Sequence, residues 1–322
     1  MAQSVSIGVG TWAWGNQFLW GYRPDLHDVA LEATFKRAVA LGLHFFDTAD
    51  SYGTGRFTGR SEQLLGGFLQ ALPPQLRNDL CVATKLAPFP WRLGRRGYDR
   101  ALQASRQRLG GRLDRVQLHW STARYAPWQE WPLLEGLADR VIAGEVESLG
   151  VSNMGPRRLR EVQRKLGERG VRLVSLQIQA SLLAPEAVTG GELVACCREL
   201  GVDLIAYSPL ALGLLCDRPG DGTGAPKGPR GLLFRRLRPR IEPLLALMRA
   251  IAADHGAKTS EVALNWCRAH GAMPIPGLRT PEQAEGAAAA LAWQLDEQER
   301  LALDRQALAL PVRMPANPFL SD

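Results

Sequence analysis

The order of segments along this chain predicts a closed (β/α)₈ barrel, a parallel eight-stranded TIM barrel with its helices outside. Three observations carry that expectation. Short apolar runs alternate with segments of helical spacing, and the alternation occurs eight times. Most of the links between them are short, as in strand–helix–strand units that keep their strands parallel. The 322-residue length accommodates eight such units.

Residues 5–12 (VSIGVGTW) read as the first strand, and residues 13–26 as a loop holding Trp14, Trp20 and Tyr22. Asp28 is placed to cap a helix reaching about Leu41, with Val29, Leu31, Phe35, Ala38 and Val39 near helical spacing. The second strand runs from Leu43 to Asp47, and a helix opens at Ser61. Leu80 to Leu86 forms the third strand, followed by a helix over Tyr98 to Leu109. The fourth strand is Arg115 to Trp120, and its helix is Pro127 to Ala143, where proline suits the first turn. Glu147 to Asn153, Leu173 to Gln179 and Val202 to Ser208 supply the fifth to seventh strands, with helices at Pro156 to Leu166 and Glu192 to Leu200. A Gly/Pro-rich, basic stretch at about 209–240 reads as a long loop insertion after the seventh strand, because the alternation resumes beyond it. Helices at 241–254 and 260–270, an eighth strand at Ala272 to Gly277, and helices at 281–291 and 296–308 complete the chain. Residues 1–322 are therefore expected to form a single barrel domain.

Composition narrows the class. Lysine and arginine number 39 against 32 acidic residues, a net charge of +7, and 46% of residues are hydrophobic, enough for a large core. The five cysteines have no metal or redox spacing and read as reduced thiols packed as small hydrophobes. The N-terminus lacks the pattern of a secretory leader, and no run reaches the length of a membrane span, so a cytoplasmic location is expected. The basic run FRRLRPR at 234–240 has neither a recognition fold around it nor an aromatic platform, which argues against nucleic acid as the partner. A solvated loop, or a flap over an anionic cofactor, fits better. Gly53, Gly55 and Gly59 do not have the spacing of a dinucleotide fingerprint.

A barrel of this kind carries its chemistry at the C-terminal ends of its strands. Asp47, Tyr52, Lys85 and His119 fall there on three consecutive strands and the loops that follow them. An ammonium beside a phenol favours the phenolate, a carboxylate neutralises a buried ammonium, and an imidazole can hold a carbonyl oxygen. Tyr52 is then the candidate general acid, its proton loosened by Lys85. Trp14, Trp20 and Trp120 lie on the mouth loops and, with Tyr52 and His119, are candidates for lining a substrate pocket. Core packing is the competing role for each tryptophan. The other histidines make no metal spacing, and no metal is expected.

The ordered motifs GTW (10–12), FDTADSYG (46–53), GRSE (59–62), TK (84–85), LHW (118–120), GVSN (150–153), AYSPL (206–210) and IPGLRTPEQ (275–283) resemble those of the aldo-keto reductases over nearly the whole chain. Their wording is most similar to cyanobacterial and plant-plastid members. The resemblance implies reduction of an aldehyde or ketone with NADP(H) as cofactor. It implies an Asp47–Tyr52–Lys85–His119 tetrad in which Tyr52 gives the proton. It further implies that Ser152, Asn153 and Gln177 hold the nicotinamide carboxamide and that Tyr207 stacks on the nicotinamide ring. Gly10, Thr11 and Trp12 would lie in the turn beside that ring. Ser208, Leu210 and Gly213 would contact the pyrophosphate, and Arg279 and Gln283 the adenosine 2′-phosphate and adenine. Gly286 stands where many members have Asn, leaving Glu285 as the residue available to adenine. A regulatory NADP(H)-binding subunit with little turnover is the alternative such a resemblance leaves open, and the oligomeric state is not fixed by it.

Overall fold

A computed structural model describes residues 5–217, 226 and 228–321. Its eight strands are β1 (Val9–Gly10), β2 (Phe45–Asp47), β3 (Cys81–Leu86), β4 (Arg115–Leu118), β5 (Ser148–Ser152), β6 (Leu173–Gln179), β7 (Asp203–Tyr207) and β8 (Ala272–Ile275). They follow one another in sequence order in one sheet, and every pair is parallel. The Gly10–Gly277 bridge closes the barrel, with Gly8 N donating to Pro274 O at 3.0 Å and Gly10 N to Pro276 O at 2.9 Å. The first strand is far shorter than the expected 5–12 run. The segment beside it carries Pro274 on β8 and Pro276 just after it, neither with an N–H to return, so the seam is one-sided. Gly10 is required at that seam, because a Cβ there would lie 2.8 Å from the Ile275 carbonyl oxygen.

Alternation sorts the barrel interior. Phe45, Ala83, Ile205 and Ile275 form an inner apolar cluster, with Cys81, Met273 and Tyr207 packed against it. Asp47, Lys85 and Tyr207 share the parity of Phe45, Ala83 and Ile205, and so occupy the inner face nearer the C-terminal rim. The opposite parity, including Phe46, Val82 and Val116, packs against the surrounding helices in the main core. Two sides of one strand thus serve two purposes: the inner face delivers polar groups to the rim, and the outer face anchors the strand.

The helices mostly occupy the expected segments; the short helices Pro74–Asn78 and Glu186–Thr189 were not expected, and three further differences follow. The second segment's helix is Pro24–Ala40, starting at a first-turn proline rather than at a cap on Asp28; Asp28 lies within it and pairs with Arg60 at 2.5 Å. A short helix Gln17–Trp20 forms inside the expected 13–26 loop, with the Asn16 side chain accepting from Leu19 N. The 209–240 insertion is not wholly loop: its basic end folds as helix Pro229–Leu237, which buries Phe234 and Leu237. The part of the expected insertion at 218–225 and 227 lies outside the described residues.

Candidate active site

The rim of the barrel opens on a cavity of about 1010 Å³ lined by residues from the ends of most strands and from the tail after the last helix. Beneath it sits a buried charge pair. Lys85, on β3, donates from Nζ to Asp47 Oδ2 at 2.5 Å, and both side chains are almost fully buried. The second Asp47 oxygen accepts from Gln177 Nε2 at 2.8 Å and Gln117 Nε2 at 3.2 Å. Three donors from three strands thus hold one carboxylate, the condition under which a buried ion pair is tolerated. Burial pulls the Lys85 ammonium down from its ordinary value, and Asp47 acts in the opposite direction.

Tyr52 lies over this pair. The Lys85 ammonium is 4.8 Å from the centre of its ring, and the His119 ring meets it edge-on at 5.7 Å. Tyr52 N donates to Ala49 O and Gly59 N to Tyr52 O, which tie the loop to the barrel rim. The expectation of a loosened phenol proton does not hold in this structure. Burial pushes Tyr52 well above the usual tyrosine value, and the Asp47 charge adds to the rise. Burial outweighs the ammonium lying beside the ring, so Tyr52 is a phenol that keeps its proton at neutral pH. His119 is held well below the ordinary histidine value by burial, with Lys85 and Arg92 contributing, and is a neutral imidazole. Its Nδ1 lies 3.4 Å from Ser51 Oγ.

The opposite wall is built differently. Asn153 holds a left-handed backbone (φ 61°) just after β5. Its Nδ2 reaches His119 O and Ser152 Oγ, each at 3.2 Å, while its Oδ1 accepts from Tyr207 Oη at 3.0 Å. Burial raises the Tyr207 phenol to about 12. After β7, Ser208, Ala211, Leu212 and Gly213 all have positive φ, with Ala211 at 46° and Gly213 at 92°. Such a run costs strain for non-glycine residues, and strain of that kind gathers where backbone N–H groups are turned toward a ligand. Arg279 precedes helix Pro281–Ala289, whose Thr280 cap accepts from Gln283 N. Burial lowers Arg279, and no carboxylate pairs with it among the described residues. Its guanidinium lies 5.5 Å from the Trp20 ring, and that of Arg230 lies 3.9 Å from the same ring.

Most of the residues singled out in the sequence reach this cavity: Gly10, Trp12, Trp20, Asp47, Tyr52, His119, Trp120, Ser152, Asn153, Gln177, Tyr207, Ser208, Leu210, Gly213, Arg279 and Gln283 line it. Lys85 sits one layer below. Two do not reach it. Trp14 is a core residue: it is fully buried, donates from Nε1 to Leu278 O at 2.8 Å and packs edge-on against Phe68. Thr11 is turned away too, its hydroxyl donating to Asp47 O at 2.9 Å and lying 2.6 Å from Ser61 Oγ. Glu285 points to a neighbouring helix and pairs with Arg37 at 2.8 Å, so it is not available to the cavity.

Several residues in the cavity wall or beneath it escaped the sequence reading. Gln117 had the signal, since it shares the parity of Arg115 and His119. Arg230 and Lys258 lie on segments read only as an insertion and as the link between two helices. The tail over Met314–Phe319 gave no periodic pattern, yet Asn317 Nδ2 donates to Tyr207 Oη at 2.7 Å and Phe319 stacks on Trp120 at 4.7 Å.

Comparison with known proteins places this geometry. The model of the Aldo/keto reductase family matches residues 6–306. Pyridoxal reductase, chloroplastic, from Arabidopsis thaliana is 45% identical over 325 residues, covering 98% of this chain and 87% of that protein. Among solved structures, the thermostable aldo-keto reductase Tm1743 in complex with the inhibitor epalrestat superposes with a TM-score of 0.73 at 25% identity, covering 93% of this chain and 94% of that one. An aldo/keto reductase from Klebsiella pneumoniae in complex with NADP and acetate gives 0.71 at 23% identity, covering 98% and 94%.

Proposed function

This chain belongs to the aldo/keto reductase family, and from that premise we propose that its cavity reduces a small aldehyde at the expense of NADPH, with Tyr52 delivering the proton. The observation that carries the assignment is the Tyr52 ring poised with its centre 4.8 Å from the Lys85 ammonium, itself paired with Asp47.

The residues present suit the cofactor. The left-handed run after β7 and the N-terminus of helix Pro281–Ala289 offer backbone donors to phosphates. Arg279, which faces no carboxylate among the described residues, suits the adenosine 2′-phosphate, with Gln283 beside the adenine. Ser152, Asn153 and Gln177 suit the carboxamide, and Tyr207 the nicotinamide ring. When bound, the cofactor supplies a hydride. The chain's own part is to position and protonate. His119, uncharged, offers a hydrogen bond to the substrate oxygen. Tyr52 then gives that oxygen its proton, while Lys85 stands ready to stabilise the phenolate left behind. Asp47, held by Gln117 and Gln177, keeps Lys85 in place. Trp12, Trp20 and Trp120 provide apolar walls around the reacting carbonyl.

The relative named pyridoxal reductase makes pyridoxal the first substrate to try. NADPH oxidation would be followed with pyridoxal, nitrobenzaldehyde and methylglyoxal, in wild type and Tyr52→Phe. The expected result is turnover in wild type and a loss of about 10²–10⁴-fold in kcat in the variant, with NADPH affinity nearly unchanged. Tight NADPH binding with flat traces for every aldehyde would replace the reductase reading with a sensory, nucleotide-binding one.

No helix among the described residues is long and apolar enough to cross a membrane. A cytoplasmic setting is our reading, supported by five free cysteines, three of them buried. We also read residues 1–322 as one domain, since all eight strands share a single sheet.

A further inference from the structure

The GRSE stretch takes no part in the mechanism above, yet it holds some of the most deeply buried polar groups in the protein. Helix Arg60–Gln70 begins with it, and its three successive side chains reach three different elements. Arg60 donates to Asp28 Oδ2 at 2.5 Å and to Tyr22 Oη at 3.0 Å, fastening the segment that follows β1. Ser61 donates to Thr11 O at 3.1 Å, and its Oγ lies 2.6 Å from Thr11 Oγ1 and 2.9 Å from Thr48 Oγ1. Thr11 in turn donates to the Asp47 carbonyl at 2.9 Å. Glu62, fully buried, accepts from Thr84 Oγ1 at 2.5 Å and from Arg108 Nε at 2.6 Å. The residue after Thr84 is Lys85.

Strand alternation turns these contacts into a device. Lys85 faces into the barrel and Thr84 faces out, so Glu62 grips β3 from behind at the position next to the ammonium. Ser61 does the same for the ends of β1 and β2, behind Asp47. We infer that the first turn of helix Arg60–Gln70 is the positioning element of the Asp47–Lys85 pair, with Ser61 and Glu62 as positioning residues that act through Thr11, Thr48 and Thr84. A buried carboxylate is a costly means of packing a helix, and this one spends both oxygens on fixed partners. The inference rests on the reductase reading for its effect on turnover, but not for its effect on Tyr52.

The test uses Thr84→Val, which keeps the shape and removes the hydroxyl, together with Glu62→Gln and the conservative Thr84→Ser. Two quantities are read besides the melting temperature. One is kcat against NADPH affinity. The other is the Tyr52 phenolate titration in cofactor-free protein, taken as the absorbance difference between each protein and its Tyr52→Phe counterpart. A displaced ammonium favours the phenolate less, so Thr84→Val should move the titration up by about half a unit or more. It should also lower kcat about tenfold, a displacement effect of the kind positioning produces, with NADPH affinity within about twofold of wild type. Thr84→Ser should restore both. A lower melting temperature with unchanged kcat and an unmoved titration would reduce the contact to ordinary packing and overturn the inference. Should Glu62→Gln fail to fold, Thr84→Val decides alone. An inactive wild type whose titration still moves in Thr84→Val would support the positioning role while removing the reductase reading.

Discussion

The two sides of the cavity solve opposite problems. On the side of β2 and β3 the charges are paired: Lys85 with Asp47, Asp50 with Arg92, Glu62 with Arg108. On the side of β8 the cation is left open, for Arg279 has no carboxylate partner among the described residues, and the loop after β7 holds strained left-handed backbone. A group that must be in place before any ligand arrives is fixed by the protein's own partners. On the function proposed above, a group that meets an anion is left for the ligand to complete. The contrast separates what the protein brings to the chemistry from what it reserves for binding.

The largest effect expected from breaking this contrast is on the paired side. Lys85→Met removes one member of a buried ion pair and leaves Asp47 with only its amide donors. Such a change costs about 3–5 kcal/mol of stability and should remove nearly all turnover, since the phenolate loses its cation. Chemical denaturation and NADPH oxidation would check both. A variant as stable as wild type would mean that Asp47 is not an obligate partner.

The reserved side should respond in affinity. Arg279→Gln is expected to raise the NADPH dissociation constant about 10- to 100-fold, the worth of a charged hydrogen bond of roughly 1.5–3 kcal/mol. Stability should fall by no more than about 1 kcal/mol, because no carboxylate partner is lost and only the contact with the Trp20 ring is given up. NADH, which lacks the 2′-phosphate, should bind the variant and wild type equally. An equal loss for both nucleotides would move Arg279 to the pyrophosphate.

The pH dependence tests the paired side again. With His119 held well below about 6.5, its ordinary value, lowering the pH through that value leaves it uncharged. With Tyr52 raised well above 10, the proton donor stays loaded through neutral pH. The reduction rate at saturating NADPH should therefore be level from about pH 6 to 8.5. A step centred near 6.5 would show that His119 works as an imidazolium.

How much of this was legible in the sequence follows from how local each signal is. β6 and helix Glu192–Leu200 have the bounds read from spacing alone, because both are flanked by clear turn residues. Asp47, Lys85 and His119 were legible because a polar residue closing an apolar strand is a local anomaly. The core position of Trp14 was not, since it lies beyond a two-residue strand where no alternation remains to orient it. The direction of the Tyr52 shift was hidden as well. The neighbouring lysine was visible, but that burial would outweigh its charge depended on three-dimensional packing. The tail contacts of Asn317 and Phe319 join residues more than 100 positions apart and carry no periodic pattern.

The smallest effect lies at Gly286, on the reserved side. It lines the cavity from within helix Pro281–Ala289, and a Cβ there meets nothing within 4 Å. No close approach or unusual backbone demands glycine, so the position is open to a side chain. Gly286→Asn should stabilise the helix slightly, by about 0.3 kcal/mol, since asparagine is a somewhat better helix former than glycine. It should also add a polar group where Glu285, committed to Arg37, supplies none. The NADPH dissociation constant is expected to fall about two- to fivefold, the worth of one neutral hydrogen bond, with kcat on the aldehyde unchanged. NADH should gain by the same factor, because adenine is common to both nucleotides, whereas the Arg279 effect should separate them. If Asn at this position tightened NADPH alone, the two residues would share the 2′-phosphate, and the division between phosphate and adenine contacts on this wall would have to be redrawn.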